Sequence, residues 1–153
     1  MSVIKSIYSK ILVGVDGSED SMKAADHAVA MAKLHNAKLL AVHAIPSQMR
    51  LGGYSSKGVT SVSPEYLARA DEAADVWFER IGHDAREAGI EVETKKTSSG
   101  YSAGQVIVDL AEKENVDLVV VGTRGTTGFK KLLLGSTALE VVTYSDCSIL
   151  VVK

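Results

Sequence analysis

Glycines and hydroxylated residues near the C-terminus form the segment best suited to bind a ligand. Gly122-Thr123-Arg124-Gly125 is followed, after nine residues, by Gly135-Ser136-Thr137, which gives the spacing G-x2-G-x9-G-S. Glycine permits a positive φ and close approach of a ligand, and N–H groups at a helix start bind anions. A tight strand-to-helix connection would explain a pair of glycines, but not also Gly128 and two hydroxyls. The spacing therefore predicts a phosphate cradle.

Two charged residues close to the expected ligand have more than one interpretation. Asp16 follows the apolar run Ile11–Val15 and precedes a glycine, where aspartate commonly hydrogen-bonds its own backbone in a turn. Its position after a strand, beside the expected cleft, favours a ligand role. Arg124 is either a solvated surface charge or a phosphate contact. Lys130 and Lys131 are interpreted as solvated rather than catalytic.

The elements that position these residues follow from the hydrophobic pattern. Short apolar runs alternate with segments of helical period, and serines stand at the helix starts. The predicted strands are Ile11–Val15, Lys38–Ile45, Ile90–Lys95, Val116–Val121 and Ile149–Val152. The predicted helices are one after Ser18, one from Ser63 to Ala88, one from Ser102 to Asn115 and one over Ser136–Tyr144.

This alternation predicts an α/β fold: a single-domain three-layer sandwich with a five-stranded parallel open sheet, of Rossmann-like type. Ile90–Lys95 alternates apolar and charged residues, which is typical of an edge strand. In such sheets the ligand binds outside the carboxyl ends of the strands, where the winding reverses. The Gly/Ser-rich segment at about 46–62 shows no period, and we predict a mobile loop there.

Composition restricts the class of protein. The 153 residues fit one domain, and 17 Lys+Arg against 19 Asp+Glu give a net charge of −2, which does not attract nucleic acid or an anionic membrane. No apolar run approaches the roughly 20 residues that span a bilayer, and no secretory segment is recognisable. The one cysteine, Cys147, cannot form an internal disulfide. We therefore expect a cytoplasmic protein without a membrane partner.

The sequence lacks the common catalytic motifs. There is no G-x-x-x-x-G-K-[ST] loop and no G-x-S-x-G elbow, and the four histidines show no metal-ligand spacing. A dedicated NTPase or hydrolase is not supported, no catalytic residue is assigned, and metal ligands stay unassigned.

The glycine segment also carries a family resemblance. VVVGTRGTTGFKKLLLGST followed by SILVV, together with KILVGVDGSEDS at the N-terminus, strongly resembles the ATP-binding branch of the universal stress protein family. The resemblance spans nearly the whole chain, so 1–153 is expected to be one domain of this family. It implies the adenine nucleotide α-hydrolase-like form of the fold, and ATP with Mg²⁺ as the ligand.

The resemblance also implies roles for residues. Gly122, Gly125, Gly135, Ser136 and Thr137, with Thr123 and Arg124 in the same motif, would hold phosphates and ribose; Asp16 would lie beside the ribose or a metal, Ala44 would offer its backbone to adenine, and Gly14 and Val15 would line the cleft. The family commonly dimerises through its last strand, here Ile149–Val152.

We interpret the chain as an ATP-binding stress-response regulator, a nucleotide-dependent switch or chaperone-like signalling protein. Two alternatives stay open at this point. One is a slow ATPase or phosphotransferase in which Mg²⁺ bridges phosphates and Asp16 or Ser136. The other is an interaction module that does not use a nucleotide, in which the glycines are only structural. A dinucleotide or flavin site is a weaker interpretation, because the fold hosts many ligands.

Overall fold

The computed structural model describes residues 5–46, 48–50, 59–61, 63–99, 101–124 and 134–153. In chain order the elements are β1 (Lys10–Gly14), α1 (Glu19–His35), β2 (Lys38–Pro46), β3 (Gln48–Arg50), β4 (Val59–Ser61), α2 (Pro64–Glu87), β5 (Val92–Ser99), α3 (Ala103–Lys113), β6 (Leu118–Gly122), α4 (Ser136–Tyr144) and β7 (Ser148–Val152).

The main sheet is parallel and has five strands in the order β5-β2-β1-β6-β7. Successive side chains of a strand point to opposite faces, so β1 serves two cores. Ile11 and Val13 lie in a cluster that includes residues of α1 and α2, whereas Leu12 lies in a cluster that includes residues of α3 and α4. The sheet therefore lies between two helical layers, which confirms the predicted fold class.

Helix ends agree with the sequence signals. Ser18, Ser63 and Ser102 are N-caps whose side chains each accept a hydrogen bond from a backbone N–H in the first turn. Asn36 ends α1 in the left-handed conformation (φ 51°), and Gly89 follows α2 at φ 71°. Serine caps and left-handed stops thus define the boundaries of α1 and α2.

Two strands begin two residues later than predicted, and β1 lies one residue earlier than predicted. β5 begins at Val92 rather than Ile90, because Ile90 still donates its N–H to Ala85 O at the end of α2. β6 begins at Leu118 rather than Val116, because Val116 donates to Ala111 O as α3 closes. β5 then continues to Ser99, pairing with β2 along its full length, and it forms the predicted edge.

The segment predicted to be a mobile loop contains two short strands. β3 and β4 pair antiparallel, with Met49 opposite Thr60, in a sheet separate from the main one. Residues 47, 51–58 and 62 lie outside the described residues, and the mobility of the segment remains a prediction. In the described part of the chain, no helix combines the length and the apolar character needed to cross a membrane.

Candidate functional site

A cleft of about 850 Å³ opens at the carboxyl ends of β1, β2 and β6. The chain winds outward from β1 in one direction through β2 and in the other through β6, so the cleft lies at the point of reversal where open α/β sheets bind ligands. Its volume is within the range of small-molecule sites.

Every predicted site residue that the structure describes borders this cleft. These residues are Gly14, Val15, Asp16, Ala44, Gly122, Thr123, Arg124, Gly135, Ser136 and Thr137. Gly125 lies outside the described residues, as do Gly128, Lys130 and Lys131. The fold thus brings together the ends of three strands and the start of α4, as the order of the motifs predicts.

Asp16 makes the turn contact considered for it and also borders the cleft. Its Oδ1 accepts a hydrogen bond from Ser18 N at 3.0 Å, which is the local turn contact expected of aspartate at this position. Its backbone N–H donates to Ser21 Oγ at 3.2 Å. The turn therefore holds Asp16 at the carboxyl end of β1, beside the cleft.

Close packing against backbone explains Gly122 better than ligand approach does, and the end of a flexible side chain occupies the space beside Gly14. A Cβ on Gly122 would lie 2.7 Å from the carbonyl carbon of Asp20, and one on Gly14 would lie 2.7 Å from Cδ1 of Ile107. Neither glycine has a positive φ. Their side-chain positions are filled by α1 and α3, while both residues still border the cleft.

The start of α4 differs from those of the other helices. Gly135 is its N-cap in extended conformation (φ −72°, ψ 169°) and provides no side-chain cap. Its own N–H donates to Thr123 O, which fixes the start of α4 against the end of β6. The N–H groups of a first helical turn carry partial positive charge and favour an anion. Ser136 and Thr137 add hydroxyl groups to the cleft at this point.

A buried carboxylate lies behind the start of the glycine segment. Asp20 is 9% exposed, and its Oδ2 accepts from Thr123 Oγ1 at 2.9 Å and from Arg124 Nε at 3.4 Å. In the sequence, Asp20 is recognisable only as an acidic residue of the first turn of α1. Its partners are more than 100 residues away in the chain, so no local pattern indicates them.

His43 and Trp77 form a second group, to which the sequence assigned no function. His43 is 7% exposed, its Nδ1 lies 2.7 Å from Val15 O, and its ring meets that of Trp77 edge-on at 5.0 Å. Since the carbonyl oxygen can only accept, Nδ1 carries the proton. Both rings line the cleft. The one signal for His43 is its position in an apolar strand immediately before Ala44.

The rim of the cleft carries further side chains from three helices. Tyr66 and Arg69 come from α2, and Ser102 caps α3. Ser102 Oγ donates to Glu140 Oε2 of α4 at 2.7 Å, which joins α3 and α4 at the cleft. Of these residues, the sequence indicated only Ser102, and only as a helix cap.

The remaining reactive side chains lie away from the cleft. Burial raises the pKa of the Cys147 thiol, which keeps it protonated and agrees with its interpretation as a small apolar residue. Among the described residues, one group, His83, Asp84 and Glu87 on α2, has side-chain atoms close enough together to hold a metal ion. The spacing of the histidines, the only pattern considered in the sequence, did not identify this group. Asp84 already pairs with Arg80 and His83, and this group does not border the cleft.

Comparison with known proteins agrees with this geometry. The sequence model described as the universal stress protein family matches residues 7–153. Universal stress protein MJ0531 of Methanocaldococcus jannaschii is 34% identical over 149 residues, covering 97% of this chain and 84% of that protein.

Solved structures of this family share the fold. The universal stress protein UspA from Lactobacillus plantarum superposes with a TM-score of 0.73 at 25% identity, covering 95% of this chain and 98% of that one. A universal stress protein crystallised in complex with cAMP superposes with a TM-score of 0.71 at 26% identity, covering 97% and 99%. By the family match over nearly its whole length, the chain belongs to the universal stress protein family.

Proposed function

We propose that this chain binds ATP, with Mg²⁺, in the cleft at the ends of β1, β2 and β6, and acts as a nucleotide-responsive regulator in the stress response. The observation that carries the proposal is the start of α4, which lacks a side-chain cap and adjoins two hydroxyls in a cleft of suitable volume. A helix start of this kind is a ready site for phosphate.

The phosphate end of the ligand would lie at Gly135–Thr137. The aligned peptide dipoles of a helix amount to roughly half a positive charge at its N-terminus. Arg124 borders the same cleft and adds a positive charge, which its ion pair with Asp20 partly offsets. Together they form an anion-binding surface in a chain whose net charge of −2 is otherwise unfavourable for nucleotides.

The adenine end would lie at Ala44, through its backbone. The ladder between β1 and β2 ends at Gly14 and Val42, while β2 continues to Pro46 beside β5. Val42 O accepts from Val15 N, so it faces the β1 side, and Ala44, two residues further, faces the same side. Its N–H and C=O are therefore directed past the end of β1 toward the cleft, where an adenine edge offers an acceptor and a donor.

The cleft also offers oxygen donors of the kind that Mg²⁺ prefers. Asp16 provides a carboxylate, and Ser136 and Thr137 provide hydroxyls. We assign Asp16, together with the phosphates, to hold the ion, which would neutralise phosphate charge when bound.

A binding role fits this site better than catalysis. The histidine that lines the cleft, His43, has its Nδ1 committed to Val15 O, and its ring lies beside Trp77. The universal stress protein that was solved in complex with cAMP, at 26% identity to this chain, binds an adenine nucleotide. For this chain we propose ATP as the ligand. We infer that a cytoplasmic partner responds to whether ATP is bound, rather than to its hydrolysis.

Calorimetric titration of the nucleotide-stripped protein with Mg·ATP should show saturable binding. Trp77 is the single tryptophan of the chain and lines the cleft, so its fluorescence should change with the same dissociation constant. Mg·GTP is the matched control. It keeps the triphosphate but presents a carbonyl where adenine has an amino group, so it should bind more weakly. No heat and no fluorescence change at millimolar ATP would contradict the proposal.

We also propose that the protein is a homodimer formed through β7. β7 is an edge strand with no charged residue, and it adjoins α4, where Leu139, Val142 and Tyr144 are 54%, 45% and 63% exposed. Unprotected edge strands pair readily with another copy. Val152 O faces β6, so the N–H of Val151 faces outward.

Sedimentation should therefore give twice the 16.2 kDa chain mass, and Val151→Pro, which removes an outward N–H, should shift the protein to the monomer. Circular dichroism would verify that the variant is folded. A wild type that sediments as a monomer at micromolar concentration would refute the dimer and leave the nucleotide site unaffected.

A further inference from the structure

We infer that Asp20 is a positioning residue that holds Arg124 ready for the phosphates of the ligand. The inference rests on the proposed nucleotide function and adds a residue to it. Asp20 is not among the residues lining the cleft; it acts from behind the glycine segment through Thr123 and Arg124.

The burial of Asp20 requires such partners. The Asp20 side chain is 12% exposed, so its carboxylate loses most of its hydration, which is unfavourable unless hydrogen-bond donors and positive charge replace the water. Thr123 Oγ1 and Arg124 Nε supply both, and the first turn of α1 adds the favourable field of a helix N-terminus. Asp20 is therefore committed to these two residues rather than to solvent.

The contact with Asp20 leaves part of the Arg124 guanidinium available. The contact uses Nε, and the side chain is 36% exposed while Arg124 borders the cleft. A guanidinium has three nitrogens in one plane, so holding Nε fixes the direction of the two terminal groups. Those groups form the paired hydrogen bonds with phosphate in which arginine excels. Orienting the guanidinium before the ligand binds reduces the conformational entropy lost on binding.

The Asp20 carboxylate also holds the start of α4 in place, through Thr123. Thr123 is 4% exposed, donates its N–H to Val152 O and accepts from Gly135 N. Asp20, Thr123 and Gly135 therefore form a continuous hydrogen-bonded connection from α1 to the start of α4. The backbone of Asp20 also lies directly against Gly122, which leaves little space for adjustment.

The effect of replacing Asp20 on binding should depend on how many phosphates the ligand carries. If Asp20 acts by orienting Arg124, its loss should weaken ligands according to their phosphate charge and should spare the nucleoside. A general loss of structure would weaken adenosine, AMP and ATP alike. The ratio of the ATP and adenosine affinities therefore separates positioning from simple structural support.

The test is Asp20→Asn, titrated with adenosine, AMP and Mg·ATP. We expect ATP to bind about tenfold more weakly and adenosine to change less than about twofold, with AMP between them. The matched control is Glu19→Gln, which removes the same charge from the same turn. The Glu19 side chain is 85% exposed and pairs with Lys23 at 3.5 Å, so this variant should bind all three ligands like the wild type.

Arg124→Gln and the double variant that combines Asp20→Asn with Arg124→Gln complete the test. Because Asp20 acts largely through Arg124, Asp20→Asn should weaken ATP binding less in the Arg124→Gln background than in the wild type. If circular dichroism shows that Asp20→Asn does not fold, Arg124→Gln takes its place, since the Arg124 side chain is partly exposed. Arg124→Gln must then lower the ATP-to-adenosine affinity ratio by about tenfold.

An unchanged ratio in Asp20→Asn, in Arg124→Gln or in both overturns the positioning role, and so does an equal effect of Glu19→Gln. If the wild type binds adenosine and ATP equally well, the positioning role fails although the adenine site stands. If it binds neither, the proposed function itself fails, and the two results are thereby distinguished.

Discussion

Replacing Gly17 with alanine should lower the free energy of unfolding by about 3 kcal/mol, from a left-handed backbone combined with overpacking. Gly17 has φ 79°, and a Cβ there would overlap the six-membered ring of Trp77. Trp77 cannot easily move aside, because it also packs edge-on against the buried His43. Chemical denaturation followed by far-ultraviolet circular dichroism would measure the change.

Gly89 provides the matched control for this substitution. Its φ is 71°, nearly that of Gly17, but a Cβ there would meet nothing within 4 Å. Gly89→Ala should therefore cost about 1 kcal/mol, the backbone contribution alone. If both variants lose the same stability, Trp77 is not held where the structure places it, and the packing argument is wrong.

The Gly17 substitution should also affect the cleft. Gly17 follows Asp16, and Trp77 contacts the ring of His43, which in turn lies against Val15 O. Trp77 and His43 therefore support the turn that follows β1. Displacing Trp77 should therefore move Asp16 and weaken nucleotide binding in any fraction of the variant that remains folded.

Much of the fold follows from local signals in the sequence. Serine caps indicated the starts of α1, α2 and α3, short apolar runs indicated four strands of the main sheet, and alternating apolar and charged residues indicated β5. The errors occur where local hydrogen bonds at a helix end decide where the next strand can begin. Ile90 and Val116 are apolar and look like strand residues, but each closes the preceding helix by donating to a carbonyl five residues earlier.

The candidate site was predictable where it depends on position along a strand. Residues at the carboxyl ends of β1 and β6 must meet at one edge of a parallel sheet, so Asp16 and Gly122 could be grouped from the order of the strands, whereas Ala44 was indicated only by the family resemblance. Contacts across the chain could not be predicted in this way. A hydrophobic period shows which face of a helix is buried, but it does not indicate that Asp20 meets Thr123.

The glycines illustrate the same limit. The sequence pattern predicts that a ligand approaches Gly122, whereas in the structure the backbone of Asp20 fills its side-chain position. Sequence alone shows that a side chain is absent, and only the neighbours show why. Gly135 is different, since it caps α4 without a side chain and so leaves the first turn available to an anion.

Gly135→Asp should weaken ATP binding about 100-fold while leaving the protein as stable as the wild type or slightly more stable. Aspartate is a favoured N-cap residue and adopts extended backbone readily, as Gly135 does at φ −72° and ψ 169°. Its carboxylate would accept the hydrogen bonds of the first turn and repel the phosphates that we place there. Calorimetry with Mg·ATP and thermal denaturation would measure the two effects.

Gly135→Asn separates charge from occupation of the helix start. Asparagine caps a helix about as well as aspartate but is neutral, so it should compete for the same N–H groups without repelling phosphate. We therefore expect a loss of ATP affinity clearly smaller than that of Gly135→Asp, at similar stability. Since destabilisation cannot explain weaker binding by a protein that melts no earlier, a loss specific to aspartate would locate the phosphates at α4. If both variants bind ATP like the wild type, the phosphates lie elsewhere in the cleft.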